Sequence, residues 1–372
     1  MKRYLQEKIA FIQESRPNDE HVLIIPGAKT ECIATERSRV YTIRSPLISR
    51  TTQYRALLDL REIGEIVEHE QPEIIESADP YQVGWSALNA GHTYDVPVVA
   101  FYHSHFAAAY LRGPSRWLGR SGSGLLMNAA RSYTRNLYNR FAATLVPSVG
   151  LAEELKAWGL KNTQLATLGV NTEIFHPGGP SSIRAGLGIP QERTLLLYVG
   201  RLAPEKNTGV LCEAFAALAA RRRDDFHLLV IGDGQDREQL ENLRTSTGQV
   251  SWIPYCADSQ QLAQSYRAAD LLVHPGVEET FGLVALESQA CGTPVVGIRG
   301  SYMDGIILHD QEAWADDNSP KALAAAIERF AVLDLKEIGR AAAELAVAKH
   351  DWSQVFTRLF GVYRDVIGRH SR

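Results

Sequence analysis

Short, almost wholly apolar runs alternate with longer amphipathic stretches along this chain, and the alternation restarts once. In the first half the apolar runs are His21–Pro26 (HVLIIP), Glu73–Ser77, Val96–His103 and Thr144–Pro147, with helical spacing about Tyr54–Glu70 and Ser123–Ala143. In the second half they are Thr194–Gly200 (TLLLYVG), His227–Gly232 (HLLVIG), Val250–Pro254, Asp270–His274 (DLLVH) and Pro294–Gly297. Helices are predicted there over 208–222, 235–245, 259–268 and 281–291. Strands that alternate with helices imply mostly parallel sheets covered by helices. Two doubly wound α/β units in series are expected.

Length agrees with that division. At 372 residues, two domains of ordinary size are expected. The stretch Phe175–Pro190, with Gly178, Gly179 and Pro180, reads as the linker. The expected domains are 1–177 and 178–351, and a last helix about Trp352–Val366 can join either, 352–372 packing back on the first. In open parallel sheets ligands bind beyond the carboxyl ends of the strands, so two such edges facing each other suit a substrate held in a cleft.

Charge removes several classes of function. A net charge of −4 gives no global attraction to nucleic acid, so no nucleic-acid partner is expected. Cys32, Cys212, Cys256 and Cys291 are far apart and form no CxxC pair, which argues against a structural zinc site or a disulfide framework and fits a reducing cytoplasm. No stretch approaches the roughly 20 apolar residues of a membrane span. One local asymmetry stands out. Between Val96 and Ala152 there is no Asp or Glu, yet Arg112, Arg116, Arg120, Arg131, Arg135 and Arg140 all occur, interleaved with Tyr110, Trp117, Leu125 and Met127. Such a surface suits anionic lipid headgroups or a phosphorylated acceptor, and equally suits a solvated helix face.

The stretch richest in chemistry is His274–Val296, HPGVEETFGLVALESQACGTPVV, where a strand gives way to a helix starting about Phe281. Amides of a first helical turn have no intrahelical partner, so Phe281, Gly282, Leu283 and Val284 can donate to ligand oxygens, and Gly282 allows close approach. Glu279 stands before that turn and Glu287 two turns inside it. Two glutamates eight apart mean little in a chain with 43 acidic residues, but HP before them, FG between them and CGTPVV after them form a rare composite.

This segment resembles the EX7E signature of retaining glycosyltransferases of the GT-B fold, the large family 4. VGRLAPEKN at Val199–Asn207, VPSVGLAEEL at Val146–Leu155 and LGVNTEIFHP at Leu168–Pro177 resemble further elements of that family in order and spacing, with Asn171 in place of the usual Asp. The resemblance implies two Rossmann-like domains facing across a deep cleft and transfer of a glucose- or mannose-type hexose. The donor would be a UDP- or GDP-sugar and the acceptor a lipid, a glycan or a small molecule. It also implies retained anomeric configuration, no metal and no cofactor.

A sugar nucleotide departs as a nucleoside diphosphate, so fixed cations aimed at the bridging oxygen stabilise the transition state more than the ground state. Arg201 and Lys206 are the expected cations, in the loop after a strand. By resemblance Glu287 accepts from ribose hydroxyls, Glu279 orients the sugar, the Gly232–Gly234 turn lines the nucleotide pocket and the segment from Ile253, with Pro254, bounds the base. IGDG lacks the third glycine of GxGxxG, so a nicotinamide cofactor is not expected. His103 and His105, in FYHSHF, are the acceptor-side candidates, His103 the stronger; no third ligand accompanies them for zinc.

The family normally opens with an apolar strand and a glycine-rich loop, whereas this chain opens on MKRYLQEKIAFIQ, which reads as the following helix. Absence of that central strand would leave neighbouring strand edges unpaired or rearranged. Either Met1 is a misassigned start in an otherwise ordinary enzyme, or the chain is a shortened form. The latter gives a second reading, a start-truncated, non-catalytic nucleotide-sugar-binding protein. A nucleotide-sugar epimerase on the same scaffold is a third reading. A cytoplasmic location is expected, with peripheral contact to the inner face of the membrane through the arginine-rich stretch.

Overall fold

A computed structural model describes residues 2–49, 54–103, 124–179, 182–277 and 279–372. The chain divides into two compact units, Met1–Ala166 with Trp352–Arg372, and Thr167–Asp351. The segment 167–177, expected in the first unit, falls in the second. It is tied there because Arg267 donates to the carbonyls of Ile174 (2.7 Å) and His176 (2.8 Å), and Val170 N–H donates to His350 O (2.8 Å).

The second unit carries one five-stranded sheet in the order β12-β11-β10-β13-β14. Its strands are β10 (Thr194–Val199), β11 (Phe226–Ile231), β12 (Val250–Ile253), β13 (Leu271–Val273) and β14 (Val295–Val296), all paired in parallel. The apolar runs are central here for a physical reason. Leu195–Leu197, Leu228–Val230 and Leu271–Leu272 are completely buried, because helices cover both faces of the sheet. The chain moves outward from β10 through β11 to β12, then returns to the other side of β10 as β13. The order therefore reverses between β10 and β13.

Arg184, itself buried, fastens the start of this sheet. It donates to Ala268 O (2.9 Å) and Arg193 O (3.0 Å) and pairs with Asp270, whose Oδ2 also accepts from the Leu195 amide (2.7 Å). One carboxylate thus holds the entries of β10 and β13 side by side.

In the first unit the expected single sheet is split. β1 (His21–Gly27), β3 (Ser38–Arg44) and β2 (Glu31–Ala34) form a sheet in the order β1-β3-β2. β6 (Ile75–Ser77), β7 (Val98–Phe101), β8 (Ala143–Val146) and β9 (Thr163–Leu165) form another, parallel throughout. The helix expected over 54–70 is shorter. Tyr54–Arg55 is a short strand, and α2 (Leu60–Glu70) starts only after Asp59, whose side chain accepts from the Glu62 amide (3.4 Å).

The chain opens on α1 (Lys2–Ser15), and the last helix, α13 (Trp352–His370), belongs to this first unit. It packs on α1 through aromatic rings. Tyr4 lies 5.7 Å and Phe11 5.5 Å from Phe356, which stacks on Trp352. Beneath the rings Lys8 donates to Tyr363 Oη (2.8 Å) and to Glu76 (3.2 Å).

Asp270→Ala should leave the buried Arg184 guanidinium without its carboxylate, at roughly 2–3 kcal/mol. A calorimetric scan should then show the transition of the second unit lowered by about 5–10 °C. A shift under about 2 °C would mean that this contact does not set the stability of the sheet.

Candidate active site

The reversal between β10 and β13 is the place where a doubly wound sheet binds ligands, and the loops leaving these two strands carry most of the residues singled out in the sequence. After β10 the chain passes Gly200 and Arg201, makes a single tight turn at Pro204–Lys206 and enters α7 (Thr208–Arg221). After β13 it passes His274 and Pro275 to Glu279, and then enters α10 (Leu283–Ala290). The two loops are joined directly: Lys206 Nζ donates to Glu279 Oε2. Asn207 fastens the same junction by donating to Pro275 O (2.9 Å) and Asn318 Oδ1 (2.6 Å). Its left-handed backbone (φ 59°) is a conformation that Asn tolerates better than most residues.

Burial alone would raise the Glu279 carboxyl. The charge of Lys206 and the neighbouring His274 ring, with the hydrogen bonds from Lys206 and the Thr280 amide, outweigh it and hold the carboxyl below its ordinary value. His274 is buried, and burial pushes its imidazole down, toward the neutral form. Arg201 is different. Its guanidinium is exposed and pairs with Glu205 (2.6 Å), one turn on in the same loop. Both expected cations therefore sit in one loop, each beside a carboxylate.

The Gly232–Gly234 turn, after β11, presses against this loop. Leu202 N–H donates to Asp233 O (3.1 Å), and Asp236 N–H donates to Leu202 O (3.1 Å). A Cβ at Gly232 would stand 1.9 Å from Gly200 O, and one at Gly234 would stand 2.1 Å from Leu202 O, so no larger residue fits between these backbones. Trp252 at β12 closes the turn from the other side by donating to Gly232 O (2.7 Å).

At α10 the structure moves the helix start. Gly282 is left-handed (φ 79°) and caps the helix, so the first-turn amides are those of Leu283 and Val284, with Phe281 and Gly282 outside the helix. A Cβ on Gly282 would also meet Met303 Sδ at 2.3 Å. The Phe281 side chain is buried and meets the His350 ring edge-on at 6.3 Å. Glu287 is buried as well, and its Oε2 accepts from Tyr266 Oη (3.0 Å), a contact that no local pattern signals.

Pro254 is exposed at the end of β12, and beside it Tyr255 is 80% exposed, the most open large apolar side chain among those described. The sequence marked this segment but not Tyr255. Asn207 and Met303 were missed too; their roles arise from partners 68 and 21 residues away, in Pro275 and Gly282.

In the first unit His103 follows β7, with its Nδ1 3.4 Å from Phe101 O, and burial lowers its pKa. His105 lies outside the described residues, as do Arg112, Arg116 and Arg120. Of the remaining arginines, Arg131 lies over the Trp158 ring (5.5 Å) and Arg140 over the Trp85 ring (5.2 Å). Arg131 and Arg135 are exposed on a helix over 124–138, α4. Among the described residues no group of three His, Cys, Asp or Glu is placed to hold a metal ion, and no helix is long and apolar enough to cross a membrane.

Comparison with known proteins places these features in context. A model of glycosyl transferases group 1 matches residues 181–342, and one of glycosyltransferase family 4 matches residues 15–196. A GDP-mannose-dependent alpha-mannosyltransferase of Mycolicibacterium smegmatis is 29% identical over 90% of this chain and 84% of its own length. A GDP-mannose-dependent alpha-(1-6)-phosphatidylinositol dimannoside mannosyltransferase of Mycobacterium tuberculosis is 33% identical over 83% of this chain and 78% of its own. The structure of sucrose-phosphate synthase from Thermosynechococcus elongatus superposes with a TM-score of 0.75 at 21% identity, over 99% of this chain and 93% of that one. An Anabaena protein, HepE, solved with UDP and glucose, superposes with a TM-score of 0.66 at 17% identity, over 87% and 85%. The solved structures support the GT-B fold, two Rossmann-like domains, that the sequence led us to expect.

Because Glu279 titrates lower in the folded chain than its ordinary 4.5, its ionised form stabilises the fold. That contribution is full above the unfolded pKa and disappears as pH falls through the folded one. Glu279→Gln should therefore be less stable than the parent at pH 7, and the difference should shrink below about pH 4.5 in urea titrations. A difference that persists unchanged at pH 3 would assign the loss to something other than this carboxylate.

Proposed function

Since the chain belongs to the group 1 glycosyltransferases and is an enzyme of hexosyl transfer from a nucleotide sugar, we propose that its donor is GDP-mannose and that transfer retains the anomeric configuration without a metal. The observation that carries this reading is the Lys206–Glu279 contact at the point where strand order reverses. It puts a fixed ammonium and a sugar-orienting carboxylate within one bond of each other. The donor preference rests on the relatives named as GDP-mannose-dependent.

In this mechanism the diphosphate lies against the Arg201–Lys206 loop and the first-turn amides of Leu283 and Val284, where unpartnered N–H groups and the helix dipole favour an anion. Glu287 reaches the ribose, and Tyr255, beside Pro254, offers its exposed ring to the base. The bond from the anomeric carbon to the phosphate oxygen breaks, and its electron pair stays on the diphosphate. Arg201 and Lys206 stabilise that growing charge. The acceptor hydroxyl attacks from the same face and passes its proton to the leaving phosphate, so Glu279 positions hydroxyls and is not a nucleophile. His103 serves the acceptor side. The acceptor is a lipid or a glycan, and Arg131, Arg135 and Arg140 draw the protein to the anionic inner face of the membrane.

Incubation with GDP-mannose, UDP-glucose and other donors, with EDTA present, should give the fastest donor hydrolysis or transfer with GDP-mannose. Proton NMR of the early product should show the α-anomer. Isomerisation of the donor without transfer would identify an epimerase, and tight binding without turnover a binding protein. Lys206→Ala should lower kcat/KM by tens to thousands of fold, the counterpart of about 2–5 kcal/mol for a lost charged partner. In vesicle flotation, anionic lipid should carry the protein upward and neutral lipid should not; equal behaviour on both would remove the membrane contact.

A further inference from the structure

Arg201, Lys206 and Glu279 stand in loops and keep part of their side chains in solvent. Glu287 is different: it is 2% exposed, on α10, one turn beyond the Leu283 at which that helix begins. A buried carboxylate is costly unless hydrogen bonds meet its oxygens, and a glutamate has several side-chain torsions to fix. Tyr266, on α9 (Ser259–Ala268), answers both needs by donating its hydroxyl to Glu287 Oε2 (3.0 Å). An ionised carboxylate only accepts, so the phenol is the donor, and a bond to a charged acceptor is stronger than a neutral one.

The phenol is itself held from three directions. Tyr266 is completely buried, and its ring meets Phe175 edge-on at 6.0 Å. Its carbonyl accepts from Thr293 Oγ1 (2.7 Å), in the turn after α10. Phe175 is presented by a turn in which Asn171 Oδ1 accepts from the amides of Glu173 (3.1 Å) and Ile174 (3.3 Å), and Asn171 O from that of Phe175 (2.8 Å). Arg267, the next residue on α9, binds the carbonyls of Ile174 and His176, so the helix that carries the phenol is tied to the segment that carries its ring partner. Packing alone would be met by a phenylalanine. The hydroxyl is what reaches Glu287.

We infer that Tyr266 is a positioning residue for the nucleotide sugar: it holds the Glu287 carboxylate where the ribose hydroxyls meet it, and so sets a preference for ribonucleotide over deoxyribonucleotide donors. The inference rests on the ribose role proposed above for Glu287. A carboxylate fixed before the ligand arrives loses no rotamer freedom on binding. Nor can it turn away when a hydroxyl is missing, and a site built for a hydroxyl rejects the analogue that leaves its polar groups unpaired. Released from Tyr266, the same carboxylate turns to other partners and discriminates less. The ribose is remote from the breaking bond, so the contact is equal in the ground and transition states and acts on KM rather than kcat.

Isothermal titration of the full chain with GDP and 2′,3′-dideoxy-GDP, and with UDP and its dideoxy form in parallel, tests this without turnover. The preference, the Kd of the dideoxy form over that of the ribose form, is compared among the parent, Tyr266→Phe, Glu287→Gln and the double variant. Tyr266→Phe should narrow it by about five- to thirtyfold, the counterpart of one hydrogen bond to a charged group, and the double variant should match Glu287→Gln. Phe175→Leu keeps the hydroxyl and loosens the ring; it should narrow the preference by a smaller factor and carries the test where Tyr266→Phe does not fold. In turnover with the preferred donor, Tyr266→Phe should raise KM and leave kcat within about twofold. If Tyr266→Phe weakens both nucleotide forms alike, or lowers kcat by about tenfold with KM unchanged, Tyr266 supports the fold alone and the inference falls. If Glu287→Gln narrows the preference and Tyr266→Phe leaves it intact, the inference falls while the ribose role of Glu287 stands. If Glu287→Gln itself keeps the parent preference, the ribose role fails and the inference with it.

Discussion

The reversal of strand order between β10 and β13 is the constraint on which the candidate site depends, and the contact between Lys206 and Glu279 follows from it. That contact spans two loops that leave neighbouring strands, β10 and β13, and these strands are neighbours only because the sheet reverses its order between them. Every nearby device holds those loops in place. Asp270 and Arg184 set the two strands side by side at their entry, Asn207 binds one loop to the other at their exit, and the glycine turn after β11 lets a third backbone press in. Gly282 then sets where α10 begins. A larger residue at Gly232 or Gly234 would move the loop that carries Lys206, since the atoms it would meet are backbone, which cannot yield as a side chain can.

The two units follow different packing rules. In the second, one continuous core runs under all five strands and reaches Phe281, Ala285 and Leu286 beside the site. In the first, a smaller cluster around Ile43, Ile63 and Ile66 lies next to a large cavity, and the sheet is in pieces. The expected donor groups Arg201, Lys206, Glu279 and Glu287 all lie in the second unit, on loops and a helix that its continuous core supports.

The sequence was readable where strand and burial coincide. TLLLYV, HLLVI and LLV are uninterrupted apolar runs, and each became a central strand. It was unreadable over 28–59, where the short strands β2, β4 (Leu47–Ser49) and β5 (Tyr54–Arg55) occur. Glu31–Ala34 is exposed at every position, so no hydrophobic period marks it, and its pairing with β3 is a long-range choice. The site divides in the same way. Arg201, Lys206 and Glu279 could be named from loop position and pattern. The pairing of Lys206 with Glu279, rather than with Glu205 beside it, depends on sheet order and has no local signal. The burial of Glu287 depends on Tyr266, supplied by α9 (Ser259–Ala268), and Gly282 shortens α10 through a backbone angle that leaves no trace in periodicity.

The same geometry bears on the proposed reaction. A lysine held only by water would have to be ordered when the diphosphate arrives, losing side-chain entropy at that moment. Lys206 is ordered beforehand by Glu279, so much of that loss occurs on folding. Its partner, however, is a competing anion, and in the proposed ground state the ammonium is shared between the carboxylate and the diphosphate. As the glycosidic bond breaks, charge grows on the phosphate oxygen while the carboxylate's charge stays constant, so the ammonium's attraction shifts toward the leaving group. Interactions that strengthen only along the reaction coordinate are those that raise kcat. A fixed pair, part-buried and thus less screened than a surface pair, is a means of producing that difference with a single lysine.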